Sequence, residues 1–391
     1  MINILLLILI GFLSCDEINQ HCEPLPRHYP LKEAGLKNME LWDPPETTIH
    51  IDPLNINGLN RDGSFEQPFI SFDEVTCQDG GVYAIKRGTI LETGTIMVFA
   101  DDVILASYGE GERPIIRSTS EAHAVSTDWD GGHNITVRDI EIYAPNATSC
   151  LIFRSNSTNV RAVNLKLHGA KLGLRALNHI DGLYVYSAEI FDIADDSIQL
   201  YLCNNWHVHN NIIDRSDTGN KFCFISNNPE QDKGVFEYNV LKGPRYNGAS
   251  IYIGDGRNLI FRYNHIAGPS PYSFYSHADD LKIYYNIFND FSGPLFVSGS
   301  AVVYNNLFYK TSTGIEGGRV IAINNIFDLG AVDRTRFNVK ELTESNNIFV
   351  WGLPTRNSKV GDPCFVDPVN GDFRLLPDSE CIDNGFDVDL G

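Results

Sequence analysis

Short runs of alternating hydrophobic and polar residues recur along the chain, and most of them end in asparagine. From residue 134 onward they include NLIFRYNHI, DLKIYYNIF, AVVYNNLF, VIAINNIF and TESNNIF. Alternation with a period of two, rich in β-branched and aromatic residues and bounded by Gly, Asn or Asp, predicts short β-strands joined by tight turns. No unbroken apolar run is long enough to predict a substantial helix.

The runs align on one polar position, with spacings of roughly 19–28 residues. That position is occupied by Asn164, Ser187, Asn211, Asn239, Asn264, Asn286, Asn306, Asn325 and Asn347. A repeat of this length predicts an all-β solenoid of about ten coils, and coils about 4.8 Å apart make a rod roughly 50 Å long. Asparagine tolerates the left-handed turn conformation, and its amide both donates and accepts, so stacked copies predict an asparagine ladder.

The repeat resembles the pectin lyase-like superfamily from about residue 50 onward. The segment DGSFEQPFISFDEV is similar to the entry segment of such helices in bacterial secreted proteins, and GDPCFVDPVNGDFRLLPDSECIDNG is similar to their closing segment. The resemblance implies a single-stranded right-handed parallel β-helix over residues 50–360 and a closing segment over 361–391. Caps of this kind cover the strand edges of the terminal coils.

The amino terminus carries an apolar run, Ile2 to Leu13, that is too short to span a bilayer and predicts a signal peptide. The sequence Leu13-Ser14-Cys15 resembles a bacterial lipobox, although the first residues lack Lys and Arg. The resemblance implies a signal peptide over 1–15, acylation of Cys15 and a tether with an N-terminal extension over 16–49. An ordinary signal peptide cut nearby is the alternative. Both predict export, to the cell envelope or surface when acylated and as a secreted protein otherwise, with a lipid as the only membrane attachment.

Seven cysteines remain after Cys15, so at least one thiol is expected to be free or paired outside the chain. Cys364 and Cys381 bracket one short terminal segment, and we expect a disulfide between them because an exported protein meets an oxidising environment. Cys203 and Cys223 lie about one coil apart and are interpreted as small, buried core residues.

The formal net charge of −20, from 50 acidic and 30 basic residues, opposes binding of nucleic acid. It also repels acidic polysaccharides, unless local Lys and Arg side chains or a bound divalent cation reverse the sign inside a site. A neutral or acidic polysaccharide is the partner that we expect, and the sequence leaves the oligomeric state open.

The first strand of each coil is where proteins of this superfamily bind substrate, so the resemblance directs attention to its outer face. Alternation places these residues outward: Arg175, Gln199, Tyr252, Tyr275 and Glu316. The loops entering these strands add Lys171, Asp195, Asp196, Lys221, Arg245 and Tyr246, and His277 follows a first strand. Charged groups and aromatic rings together are typical of sugar-binding sites.

The string DIADDSIQLY is the sharpest candidate for catalysis, because adjacent carboxylates raise each other's proton affinity. It resembles the DDCI element of polygalacturonase-type glycoside hydrolases, which implies acid catalysis by Asp195 and Asp196. Those enzymes carry a further Asp one coil earlier and Gly-His-Gly one coil later, where this chain has Lys171 and Gly219-Asn220-Lys221. The alternative is that both aspartates are turn residues, since Asp-Asp also occurs at Asp101 and Asp279.

Two other functions fit the same face. A polyuronate lyase would use Lys171 or Lys221 as base and Arg175 or Arg245 against the uronate, with Ca²⁺ possible on Asp192, Asp195 and Asp196. A non-catalytic glycan-binding protein would depend more on Tyr252 and Tyr275 than on the acids. Elsewhere, His207 and His209 share a strand face as a possible metal pair, but without an evident third ligand a polar outer face is the favoured interpretation and no metal is assigned.

Overall fold

The computed structural model describes residue 37 and the ranges 42–55, 60–127, 131–215, 221–229, 233–243, 248–312, 314–329, 337–350 and 357–382. Cys15, Arg245 and Tyr246 therefore lie outside the described residues. None of the described residues forms a helix long and apolar enough to span a membrane.

Parallel strands of successive coils pair one above another and form a β-solenoid of about eleven turns. The predicted all-β fold is confirmed, with about one coil more than expected. Each coil contributes a first, a second and a third strand, which stack into three columns along the rod. Because each inner strand pairs with its counterparts in the coils before and after it, its hydrogen-bonding edges are covered on both sides.

The first-strand column contains the following strands in order: Ile96–Val98, His123–Thr127, Ser149–Phe153, Leu172–Tyr186, Ile198–Asn204, Phe224–Asn227, Ala249–Ile253, Tyr272–Ser276, Leu295–Tyr304, Ile315–Ile323 and Phe337–Ser345. Four of these are long strands that continue through the corner into the second column: Leu172–Tyr186, Leu295–Tyr304, Ile315–Ile323 and Phe337–Ser345.

The other strands of the second column are Ile49–Ile51, Val82–Lys86, Ile104–Tyr108, Thr136–Arg138, Thr158–Val163, Trp206–His209, Gly234–Glu237, Leu259–Arg262 and Leu281–Tyr284. The third column consists of Ile90–Thr93, Ile115–Ser118, Glu141–Tyr143, Lys166–His168, Glu189–Phe191, Ile212–Asp214, Val240–Lys242, His265–Ala267, Ile287–Asn289, Leu307–Tyr309, Ile326–Asp328, Ile348–Phe349 and Lys359–Val360.

Alternate side chains of every column point into the coil and form one continuous hydrophobic core. Trp206 and Val208 point inward, as expected, and place His207 and His209 outside. Phe288, Phe308 and Phe327 stack at centroid distances of 5.0 and 4.7 Å in the third column. Because the same kind of side chain recurs at the same register, the rings stack at about the strand spacing.

The asparagine ladder is confirmed for seven residues in successive coils: Asn211, Asn239, Asn264, Asn286, Asn306, Asn325 and Asn347. The side-chain Nδ2 of each of the first six donates to the Oδ1 of the next asparagine over 2.9 to 3.1 Å. All seven are buried at the corner between the second and third strands. The ladder thus satisfies buried polar groups at a corner where the backbone cannot continue the sheet.

Asn164 and Ser187 do not belong to this ladder, so their assignment was wrong by one residue. The backbone places Ser187 beside Asn210, and the ladder position of its coil is Ala188, whose N–H donates to Asn211 Oδ1 over 2.7 Å. Asn164, Ser187 and Asn210 instead hold the preceding turn position, with φ of 52°, 55° and 54°. The corner therefore has two positions, and only the second needs the buried amide.

The closing segment pairs Phe365–Asp367 with Asp372–Leu375 in an antiparallel hairpin around the 3-10 turn Pro368–Asn370. A second 3-10 turn, Phe72–Glu74, lies before the strand Val82–Lys86.

Cys364 and Cys381 are both free thiols, so the structure does not contain the expected disulfide. Burial raises the pKa of Cys381 to about 12, and burial with nearby acidic groups raises the pKa of Cys364, so the reactive thiolate is disfavoured at both. Cys203 and Cys223 are buried free thiols, as predicted.

Candidate functional site

One row of outward side chains runs along the first-strand column, and we call it the first-strand face. Strand register gives its members in order as Arg175, Gln199, Ile225, Tyr252, Tyr275, Phe296 and Glu316. All five residues predicted by alternation are in this row, and the structure adds Ile225 and Phe296. The prediction of the row succeeded because the side-chain period of a strand is fixed at two.

Asp195 and Asp196 lie at the edge of this face, immediately before the strand Ile198–Asn204. The Nζ atom of Lys221, from the next coil, lies 2.7 Å from Asp195 Oδ1. The loop of Lys221 packs tightly under the following coil at Gly248, where φ is 117° and an added Cβ would lie 2.8 Å from the Lys221 carbonyl oxygen. Backbone packing therefore holds Lys221 against the carboxylate of the preceding coil.

Asp196 is held by a different set of donors. Its Oδ2 accepts a hydrogen bond from Gln199 Nε2 over 3.1 Å, and its Oδ1 accepts one from the backbone N–H of Phe222 over 3.3 Å. Gln199 Oε1 in turn accepts from Arg175 Nε over 2.9 Å. Because an amide has one donor end and one acceptor end, Arg175 fixes which way Gln199 points and thereby directs the Gln199 NH₂ group at Asp196.

The two neighbouring carboxyl groups differ in environment. Asp196 is only 4% exposed, and burial together with the negative charge of Asp195 raises its pKa, against weaker opposing effects of the Phe222 N–H, Lys221 and Arg215. Asp195 is less buried and has an ammonium partner. Two carboxyl groups that are adjacent in sequence therefore lie in different environments, and acid catalysis by a carboxyl pair requires such a difference.

Lys221 does not have the properties of a general base. Its hydrogen bond to Asp195 raises its pKa, whereas a lysine base needs a lowered one. Lys171 is exposed, and its carbonyl oxygen accepts from the Asp195 N–H over 2.7 Å. Lys171 thus stands next to the acidic pair through its backbone, and among the described residues its ammonium forms no ion pair.

Arg215 belongs to this cluster and was missed in the sequence. It follows the third strand Ile212–Asp214, is 1% exposed, and its Nε, Nη1 and Nη2 atoms have no hydrogen-bond partner among the described residues. Burial lowers its pKa, while the nearby charges of Asp196 and Asp195 oppose that shift. A basic residue directly after an alternating strand is a weak signal, because the same pattern occurs at exposed strand ends.

The aromatic side chains of the face stack on one another. Tyr252 and Tyr275 are parallel within 6° at a centroid distance of 5.7 Å, and Tyr275 and Phe296 are 4.6 Å apart. Their ring faces are thereby occupied, so Tyr252 and Tyr275 present edges and hydroxyl groups to the groove. His277 packs edge-on against Tyr275, and its Nδ1 is 2.8 Å from Ser298 Oγ.

The likeness of this chain to known proteins lies in its fold. No protein-family model matches the sequence, and no curated protein sequence matches it. The structure aligns with the GH136 lacto-N-biosidase of Eubacterium ramulus at a TM-score of 0.50 and 12% identity, covering 80% of this chain and 67% of that chain. The protein has the right-handed parallel β-helix fold.

Two further solved structures align with this β-helix. The catalytic unit of a GH87 α-1,3-glucanase from Streptomyces thermodiastaticus has a TM-score of 0.49 at 12% identity, covering 72% of this chain and 62% of that chain. A pectate lyase has a TM-score of 0.41 at 13% identity, covering 85% of this chain and 90% of that chain. At such identities the likeness concerns the fold, so the function has to be argued from the site itself.

The aspartates proposed as Ca²⁺ ligands have other surroundings in the structure. Asp192 is exposed, Asp195 faces Lys221, and Asp196 accepts from an amide and a backbone N–H. Across the part of the chain that the structure describes, no group of three or more His, Cys, Asp or Glu side chains is placed to hold a metal ion. The donor set at Asp195 and Asp196 thus suits cations and amides of the protein rather than Ca²⁺.

His207 and His209 lie on the outer face of the second column, away from the acidic pair. Their rings stack at 4.2 Å, and His207 Nε2 is 2.7 Å from Glu237 Oε1. Arg262 Nε donates to the other oxygen of Glu237 over 2.5 Å. The two histidines are thus part of a polar outer surface, which was the favoured interpretation of their spacing.

Proposed function

We propose that the protein is a glycoside hydrolase that cleaves a polysaccharide lying across the first-strand face. The observation that carries the proposal is the unequal pair of carboxyl groups, with Asp196 buried and Asp195 paired with Lys221. Glycoside hydrolysis needs one protonated and one ionised carboxyl group. The lacto-N-biosidase that shares the fold is by its name a saccharide-cleaving enzyme, which supports a saccharide as the substrate class.

Asp196 is the proton donor in this proposal. Its raised pKa keeps the proton on the carboxyl group at a higher pH than an ordinary Asp would, and Gln199 holds the group in position. As the glycosidic bond breaks, the proton passes to the leaving oxygen, and Asp196 becomes a carboxylate that Lys221 and Arg215 stabilise by their positive charge.

Asp195 is the ionised partner that stabilises the positive charge developing on the sugar ring or directs the attacking water. The Lys221 ammonium lies 2.7 Å from Asp195 Oδ1 and holds this carboxyl group in position for either role. Arg175, Tyr252, Tyr275 and His277 extend the site along the rod and supply hydrogen bonds to sugar hydroxyl groups. Arg245, outside the described residues, remains a predicted contact from the next loop.

The test is a screen of the purified protein against a polysaccharide panel, followed by kinetics of the variant Asp196→Asn. We expect release of new reducing ends, and a loss of kcat of about a hundredfold or more in the variant because a positioned general acid contributes on that scale. Activity of the native protein should fall as the pH rises through the pKa of Asp196, since only the protonated form donates. Asp195→Asn should reduce kcat as well.

Asp280→Asn is the matched control, because Asp280 belongs to another Asp-Asp pair, is exposed and precedes a second strand rather than a first one. Its activity should equal that of the native protein. Full activity of Asp196→Asn would overturn the proposal. Formation of an unsaturated product that absorbs ultraviolet light would assign the site to a lyase, and glycan binding without any product would assign it to a non-catalytic binding protein.

A further inference from the structure

A cavity of about 580 Å³ lies on the outer face of the second column, on another face of the rod from the acidic pair. Its wall comes from successive second strands, and the segment before the solenoid adds Trp42 on one side. The residues on which the inference rests are Trp42, Arg138, Arg161, Tyr184, Tyr186 and His207. Its volume falls within the range usual for small-ligand sites, roughly 300–1,000 Å³.

The charge of this cavity is opposite to that of the protein. The chain carries a net charge of −20, yet the described residues that line the cavity include two arginines and a histidine and no carboxylate. Arg138 is compensated from beneath by the buried Asp139, whose Oδ2 lies 2.6 Å from Arg138 Nε. Glu237 outside the cavity wall compensates His207.

Arg161 is the cation without a counter-charge. It is exposed at the cavity, its Nη2 donates to the neutral Asn159 Oδ1 over 3.1 Å, and no acidic side chain of the described ranges forms an ion pair with it. A guanidinium group left with free N–H donors at a concave surface suits a planar carboxylate, which it binds through two parallel hydrogen bonds.

The aromatic rings here differ from those on the first-strand face. The guanidinium carbon of Arg138 lies 5.3 Å from the Trp42 ring centroid, and Tyr184 meets His207 edge-on at 84°. Within the described residues no ring stacks face to face on Trp42 or Tyr184, whereas Tyr252, Tyr275 and Phe296 cover one another. Arg138 lies over one face of Trp42, so the C–H face of a pyranose would pack against the opposite face.

We propose that this cavity binds an acidic sugar residue of a glycan, with its carboxylate on Arg161 and its ring against Trp42 and Tyr184. The site is distinct from the hydrolytic site and does not depend on the proposed activity. It accounts for how a strongly acidic protein can hold an acidic saccharide, since the local sign of charge is reversed.

The experiment is isothermal titration of the full chain with trigalacturonate as the acidic probe and maltotriose as the neutral one. We expect trigalacturonate to bind, with affinity about tenfold lower in Arg161→Gln because a charge-assisted pair is lost. Maltotriose should bind at least about tenfold more weakly than trigalacturonate, and added salt should weaken trigalacturonate binding. Trp42→Ala should also lower the affinity.

The matched control is Arg319→Gln, because Arg319 is another exposed arginine on a second strand and lies several coils away. Its affinity should equal that of the native protein, and thermal unfolding of every variant should show that the fold is retained. Equal affinity of Arg161→Gln and native protein, equal binding of both sugars, or absence of trigalacturonate binding would overturn the inference. If Asp196→Asn lost trigalacturonate binding while Arg161→Gln bound it with native affinity, the ligand would lie on the first-strand face instead. That result would also overturn the inference.

Discussion

Removal of one internal rung of the asparagine ladder tests how the rod is held together at its corner. Asn286 is 0% exposed and occupies the middle of the ladder. Its Nδ2 donates to the carbonyl oxygens of Phe261 and Tyr284 and to Asn306 Oδ1, while its Oδ1 accepts from the backbone N–H and the Nδ2 of Asn264. The substitution Asn286→Ala removes all of these bonds and leaves their partners buried.

The expected loss follows from that inventory. The Asn286 NH₂ group has two N–H donors for three acceptors, so with the two bonds that Oδ1 accepts the side chain makes about four full hydrogen bonds. At about 1 kcal/mol net for each, they predict a loss of about 4 kcal/mol in the free energy of unfolding. Asn347, the last rung, accepts from the backbone N–H and Nδ2 of Asn325 and donates to the Ala322 carbonyl oxygen. Asn347→Ala is therefore expected to cost about 3 kcal/mol.

The assay is urea unfolding followed by circular dichroism at the β-sheet minimum, with the midpoint and slope fitted for each variant. Asn289→Ala is the control, because Asn289 belongs to the same coil as Asn286 but points outward at the end of a third strand. Surface changes of this kind shift stability by about 0.5 kcal/mol or less. The difference between Asn286→Ala and Asn347→Ala isolates the contribution of stacking on both sides.

A loss of less than about 2 kcal/mol in the free energy of unfolding of Asn286→Ala would refute the reasoning. Such a loss is smaller than the cost of leaving even two buried polar groups without hydrogen-bond partners. Equal losses in Asn286→Ala and Asn347→Ala would also contradict it. In that case the amide would serve its own corner only, and the contacts between successive rungs would add nothing to stability.

The remaining predictions concern the charge beneath the candidate site and the terminal thiols. Arg215→Met removes a buried positive charge near Asp196, so the pKa of Asp196 should rise further and the alkaline limb of hydrolysis should move to higher pH. Carbon-13 NMR titration of the Asp196 carboxyl group measures the pKa directly. Arg257→Met is the control, because Arg257 is exposed. A downward shift would contradict the arrangement. Cys364 and Cys381 should both be alkylated in denatured protein without reductant, as peptide mass spectrometry can show, and labelling only after reduction would mean that they are bonded.

Much of the fold could be predicted from the sequence because a solenoid repeats its constraints. A side-chain period of two fixes which residues point outward, and one correct coil sets the register of its neighbours. Arg175, Gln199, Tyr252 and Tyr275 were placed on one face in this way, and the structure pairs them in that order.

The corner positions could not be resolved in the same manner. Several repeats read Asn-Asn, as at Asn305 and Asn306, and both residues suit a tight turn. The first residue needs only a left-handed backbone, which Tyr263 and Tyr285 also adopt there, while the second must bury an amide. A sequence with one asparagine at this corner, such as that at Asn164, therefore does not say which of the two positions it fills.

The candidate site shows a further limit, which is that equivalent residues acquire different chemistry from neighbours distant in sequence. Asp195 and Asp196 are adjacent and identical, yet Lys221 pairs with the first while Gln199, Phe222 and the buried Arg215 surround the second. Their difference arises from the stacking of two coils, since the partners come from the same coil and from the next one. Which of two carboxyl groups is the proton donor and which is the ionised partner can be assigned only when that stacking is known. For this reason the strand register, which the sequence predicts well, has to be combined with burial, which it predicts poorly, before chemistry can be assigned to this rod.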